Sequence, residues 1–260
     1  MSPSERRLLC VLAHPDDESL GTGGTLAKYA AEGVATYLVT ATRGERGRFF
    51  DGRESPGPGI VGRTREAELR EAAKELGVRE VSFLGYEDGA LDRAPAGEVI
   101  DRIAGHLTRI RPQVVITFGP DGAYGHPDHI AISQFTTAAV VAAAGAHQVS
   151  KLYEMAWSEG TWSAYQAALR NLSTTIDGVV RKPSPWPDWM VTTVLDTRAV
   201  WPAVWRAITC HKTQMSIYNA LERLSEADHR ALWGTQEFYR VFSLVNGGRA
   251  RETDVFEGLP

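Results

Sequence analysis

Four short, largely apolar runs without a sustained polar–apolar alternation constrain this chain more than any other feature. They read LLCVLA at 8–13, ATYLVTA at 35–41, EVSFLG at 80–85 and QVVITF at 113–118. A strand that is apolar at successive positions, not every second one, is buried on both faces. Helical patterns follow these runs over 20–33, 64–77, 97–110 and 127–145. The second stops at Gly77, the third stops before the Arg-Pro pair at 111, and the fourth carries Pro127 in its first turn. Repeated strand–helix order with such strands predicts a parallel sheet covered by helices on both faces. Beyond residue 150 the pattern loosens. Strands are predicted over 151–157 and 189–197. A helix is predicted over 199–214, with Pro202 tolerable only in its first turn, and a short one over 225–234. No repeat, low-complexity tract or linker divides the 260 residues. The expectation is one α/β domain over 1–260, a Rossmann-like three-layer sandwich with a mainly parallel sheet and a less regular C-terminal third.

Bulk properties remove several classes of function. A composition of 43% hydrophobic and 23% charged residues is ordinary for a soluble protein. The net charge of -4 opposes a nucleic-acid partner, whose phosphates call for a basic excess. No run of 18 apolar residues exists, so no membrane span is expected, and the apolar run after MSPSERR is too short for a signal sequence. Cys10 and Cys210 read as small apolar residues and not as a disulfide. A cytoplasmic location is the simplest expectation.

Two segments carry the chemistry: AHPDDE at 13–18, directly after the first strand, and YGHPDH at 124–129, after the fourth. Turn and capping roles account for part of each, since Asp and Pro favour turns and Asp suits a helix N-terminus. In an open parallel sheet, however, ligands bind beyond the carboxyl ends of the strands, where strand order reverses. His14, Asp16 and Asp17 would there meet Tyr124, His126, Asp128 and His129. Imidazole and carboxylate together suit zinc and neighbouring divalent ions, three protein ligands leaving a position for water. Residue types and spacing leave open which of His126 and His129 would hold the metal.

With AHPDDE and GHPDH the chain resembles the LmbE-like or PIG-L superfamily of zinc-dependent N-acetylglucosaminyl de-N-acetylases. The resemblance extends through TRGERG at 42–47, the helix GRTREAELREAAKELGV, LGYEDG at 84–89 and HKTQ at 211–214. It implies His14, Asp17 and His129 as ligands of one zinc per chain, with iron(II) as the alternative metal. It also implies Asp16 as general base, Tyr124 and His126 at the oxyanion and leaving group, and Asp128 as support for His126. Zinc would acidify a bound water and polarise the amide carbonyl. The partner implied is a small-molecule amino-sugar conjugate, with homo-oligomers allowed. Arg43, Glu45, Arg65 and Asp88 would contact the sugar, Arg63 being the alternative register for Arg65.

Other residues are weighed on their own. Glu18 and Ser19 read as helix-start charge, second-sphere support or cap; His211 would approach the pocket. Trp186 and Trp189 read as core or oligomer surface. The loop 43–62 is a candidate mobile rim, and GTGG at 21–24 reads as close helix packing, since it lacks the dinucleotide spacing. Amide cleavage in a thiol–sugar conjugate, a non-catalytic sugar- or nucleotide-binding module and a two-metal phosphoester hydrolase are the rival readings.

Overall fold

The structure, a computed structural model, describes residues 5–50, 54–169, 174–176, 178–248 and 250–260. Its first part runs β1 (Arg7–Leu12), α1 (Asp17–Gly21), α2 (Gly23–Ala31), β2 (Ala35–Thr42), α3 (Pro58–Glu75), β3 (Glu80–Tyr86), α4 (Ala96–Ile110) and β4 (Val114–Thr117). A one-turn α5 (Gly122–Gly125), α6 (Pro127–Ala143) and β5 (Lys151–Met155) complete it. There follow α7 (Glu159–Leu169), β6 (Thr174–Ile176), β7 (Val179–Arg181), β8 (Thr193–Asp196), α8 (Trp201–Cys210), α9 (Met215–Tyr218), α10 (Glu226–Trp233) and β9 (Thr235–Ser243).

The seven-stranded sheet has the order β3-β2-β1-β4-β5-β9-β8. Strands β1 to β5 are parallel to their neighbours, whereas β9 lies antiparallel to β5 and to β8. The α/β architecture and mainly parallel sheet are those the apolar runs predict. The chain winds outward from β1 to β3, then returns to place β4 against the other side of β1. Right-handed crossovers therefore put α2 and α3 on one face and α4 and α6 on the other. Helix α8 packs on α2 and α3, and α4 packs on α6. The reversal of winding falls between β1 and β4, the strands that precede the two His-Pro-Asp segments. Burial of Leu8 to Leu12 and Val114 to Ile116 is complete, which makes the platform beneath those segments rigid.

The structure departs from the sequence pattern in places. The helix expected over 20–33 breaks at Thr22 (φ −130°) into α1 and α2. Close packing accompanies the break: a Cβ on Gly24 would stand 2.8 Å from the Thr197 side chain. Helix α3 begins at Pro58, preceded by Gly57 at φ 94°, so the connection after β2 is shorter than 43–62. Residues 51–53 of that connection lie outside the described residues. Strand β8 covers only part of 189–197, and α8 ends at Cys210. The run TQEFYRVFS forms β9, a strand absent from the sequence expectations, as are α7 and the β6–β7 hairpin. Trp186 is buried and Trp189 is 71% exposed. Among the described residues, no helix is long and apolar enough to cross a membrane.

Candidate active site

At the end of β1 the carboxylate of Asp17 closes the turn on itself. Its Oδ2 accepts hydrogen bonds from the backbone N–H groups of Ala13 (3.1 Å) and His14 (2.7 Å). That leaves Oδ1 directed at His129 Nε2, 3.5 Å away. Partners fix the tautomers of both histidines. His14 Nε2 stands 3.1 Å from Asp88 Oδ1 and 3.1 Å from Asp128 Oδ2, two acceptors, and so carries the proton. His129 Nδ1 donates to the Gly122 carbonyl at 3.3 Å. The remaining nitrogens, His14 Nδ1 and His129 Nε2, face one another at 3.1 Å. Neither has a closer protein partner than the other, so without a metal a proton on the strongly basic His14 must lie between them, in the place a cation would take. Ring nitrogens of His14, His126 and His129 lie within 4.8 Å of one another, and with the Asp17 carboxylate 3.5 Å from His129 these imidazoles and carboxylate are chemically a zinc or iron(II) donor set. The carboxylate–histidine contacts of His14 are the outer support that ligand histidines use.

Charge balance without a metal agrees. Burial pushes the Asp17 carboxyl up to about 7 against the opposing pull of His14. Burial alone would lower His14, but hydrogen bonds to Asp128 and Asp88 reverse this and raise it to about 10. The pocket therefore holds protons where a divalent ion would release them.

His126 caps α6, its Nδ1 accepting from the Asp128 backbone N–H at 3.2 Å, so its Nε2 carries the proton. Its ring stacks on His129 with centroids 4.6 Å apart and meets His14 edge-on at 4.7 Å. Burial, and then the charge of His14, pull it down to about 4. Tyr124 follows Ala123, a left-handed residue at φ 65°, and this kink turns the phenol ring to within 5.4 Å of His129 and 5.9 Å of His126. Burial first, then the carboxylates of Asp17, Asp16 and Asp88, push the phenol well up, which keeps its proton in place. Asp128 stands elsewhere than the family resemblance implied. Its carboxylate does not reach the His126 ring; it accepts from His14 Nε2 and from the N–H groups of Gly89 (2.7 Å) and Leu91 (3.1 Å). For His126 it supplies the backbone N–H that caps the ring and, across space, a charge that opposes the fall in its basicity.

Asp16 occupies the left-handed region at φ 106°, a conformation costly for a residue with a Cβ. Its N–H donates to Glu18 Oε2 at 3.0 Å. Its Oδ2 accepts from Arg65 Nη2 and from the Tyr218 hydroxyl, each at 3.1 Å. Among the described residues nothing donates to Oδ1. Tyr218 belongs to the C-terminal third and has no motif to announce it. Glu18 and His211 are fully buried and paired at 2.7 Å, so His211 reaches the pocket floor through Glu18.

The four residues expected at the sugar divide. Arg43 binds Glu66 at 2.6 Å through Nε and lies over the Phe83 ring. Arg65, not the exposed Arg63, reaches the site; its terminal nitrogens hold Asp16 and the carbonyls of Pro15 and Gly44, while its buried Nε has no partner. Asp88 is likewise engaged, by His14 and by the Arg46 N–H at 2.9 Å. Glu45 alone faces open space. With Arg46, Ser55, Tyr86 and Glu87 it lines a cavity of about 660 Å³, and its buried Oε2 has no partner.

Residues 9–140 match the profile of PIG-L, described as GlcNAc-PI de-N-acetylase. Over 98% of its length the chain is 36% identical to a 1D-myo-inositol 2-acetamido-2-deoxy-alpha-D-glucopyranoside deacetylase of Kineococcus radiotolerans, covering 83% of that protein. A protein of the same description from Rhodococcus jostii is 39% identical over 82% of this chain and 83% of its own. Among solved structures, N,N'-diacetylchitobiose deacetylase from Pyrococcus horikoshii superposes with a TM-score of 0.66 at 19% identity. That superposition covers 92% of this chain and 84% of the other, a likeness of fold. Fold, motif positions and sequence identity over nearly the whole length agree, and the chain belongs to the PIG-L family as a hydrolase of an N-acetyl amide.

Proposed function

We propose that the protein removes the acetyl group from the 2-acetamido sugar of a glucosaminyl conjugate such as 1D-myo-inositol 2-acetamido-2-deoxy-α-D-glucopyranoside. One zinc would be held by His14 Nδ1, Asp17 Oδ1 and His129 Nε2. The observation that carries this reading is the pair of facing imidazole nitrogens 3.1 Å apart beside a carboxylate oxygen. A zinc ion there supplies a Lewis acid for the amide carbonyl and a water acidified to near neutrality.

The chain's own groups do the rest. Asp16 keeps Oδ1 free to accept a proton from water and to pass it to the departing amine. His126 presents a donor Nε2–H and stays neutral because burial lowers its basicity. Tyr124 offers a phenol proton that the neighbouring carboxylates make hard to lose. Donors of this kind, aimed at a tetrahedral oxyanion, each contribute about 3–4 kcal/mol to the transition state. Glu45 and the polar wall beside it suit the hydroxyls of the sugar and its aglycone. Arg65, Asp88 and Asp128 orient Asp16 and His14 and are not themselves sugar ligands in this reading.

The test measures bound metal and acetate release from the glucosaminyl-inositol substrate. Wild type should carry one zinc or iron per chain and lose activity to a chelator. His129→Ala should lose metal and activity together. His126→Ala should keep the metal and slow turnover by about 10²–10³-fold. Full metal content in His129→Ala removes the ligand assignment, and a metal-replete wild type that releases no acetate removes the substrate.

A further inference from the structure

Asp16 is gripped from three directions by groups that the reaction does not otherwise require. Arg65 arrives from α3 and Tyr218 from α9, and both donate to the same carboxylate oxygen, Oδ2, at 3.1 Å. Glu18 takes the Asp16 backbone N–H at 3.0 Å, which suits the left-handed turn at φ 106°. Glu18 is in turn held by the Ser19 hydroxyl at 2.5 Å and by His211 at 2.7 Å. Neither Glu18 nor His211 has any solvent exposure, and His211 Nδ1 is buried without a partner. A buried acid–imidazole pair with one end left unsatisfied adds little to stability when weighed against apolar residues of the same size. Its yield is conformational: it holds one backbone N–H in one direction.

We propose that Tyr218 and the Glu18–His211 pair are positioning residues for Asp16, fixing Oδ2 and the backbone N–H so that only Oδ1 can take a proton. The C-terminal third thereby completes a site whose two His-Pro-Asp motifs lie in the first half of the chain. This rests on Asp16 acting as the general base. It predicts that the carboxylate, unpinned, rotates and presents its reactive oxygen for a smaller fraction of the time.

A double-mutant cycle on the zinc-loaded enzyme tests it. Tyr218→Phe should lower kcat about tenfold, the worth of one hydrogen bond to a charged group, with KM and zinc content within twofold of wild type. In an Asp16→Asn background, where no base remains to be positioned, Tyr218→Phe should change the residual rate by less than twofold. Glu18→Gln, which can still accept the backbone N–H but loses the ionic hold of His211, is read in the same two backgrounds. An equal factor in both backgrounds for both variants overturns the inference and leaves Asp16 as base untouched. Wild-type turnover in Asp16→Asn alone overturns the assignment of the base, and the inference with it.

Discussion

Removing the carboxylate of Asp128 separates two accounts of the site. Asp128 is fully buried and accepts three hydrogen bonds: His14 Nε2 at 3.1 Å, Gly89 N–H at 2.7 Å and Leu91 N–H at 3.1 Å. In Asp128→Ala the two backbone donors lose their partner, at about 1–3 kcal/mol each if water does not replace it. His14 keeps Asp88 but loses half of what fixes its tautomer. With His14 as the ligand proposed above, loss of such a contact should weaken metal binding about 10- to 100-fold, or ~1.4–2.7 kcal/mol. Asp128→Asn separates the parts only partly: with its amide oxygen in the place of Oδ2 it can still accept from Gly89 and His14, but the charge facing His14 is gone and its NH2 opposes the Leu91 N–H. Zinc affinity is measured by competition with a chelator, and stability by urea unfolding of the metal-free protein. Asn should show most of the loss in zinc affinity and the loss of stability from one loop donor, that of Leu91; Ala should show the loss from both donors. Had the Asp128 side chain served His126 in place of His14, both variants would turn over slowly with unchanged zinc affinity. That result would refute the reasoning.

Two further predictions concern stability. Burial pushes the Glu252 carboxyl up, but hydrogen bonds from Lys151, Asn246, Tyr153 and Thr193 outweigh it and hold it at about 2, below its ordinary 4.5. A depressed folded-state value means the contribution is complete above pH 4.5 and lost as pH falls toward 2. The amount is up to about 3 kcal/mol. Urea unfolding of metal-free protein between pH 5.5 and 2.5 should therefore be steeper in pH for wild type than for Glu252→Gln, and parallel curves would remove the claim. Gly24→Ala should cost about 1–3 kcal/mol by overpacking, because its Cβ would lie 2.8 Å from Thr197 Cβ. An unchanged urea midpoint would show that α2 can shift to admit it.

Much of the framework was legible in order along the chain. LLCVLA and QVVITF had to be buried parallel strands, and His-Pro-Asp after each had to stand at one sheet edge once the winding reversed between them. β9 was missed although EFYRVFS is rich in aromatic and β-branched residues. Its charged and aromatic residues blur the alternation, and nothing local says that it inserts between β5 and β8. The break of α1 from α2 at Thr22 was also hidden; the close neighbours of Gly21 and Gly24 beside it, Met155 and Thr197, come from distant parts of the chain.

By itself, then, the sequence determined the parallel part of the sheet, the edge and the residue types gathered there, because strand burial and turn chemistry act over a few neighbouring residues. It did not determine what each of those residues touches. Which nitrogen of His14 faces His129 depends on Asp128, 114 positions away, and which oxygen of Asp16 is free depends on Tyr218, 202 positions away. A tautomer or a carboxylate rotamer is set by whichever donor or acceptor packs within about 3 Å of it. Only the folded chain brings those partners into reach.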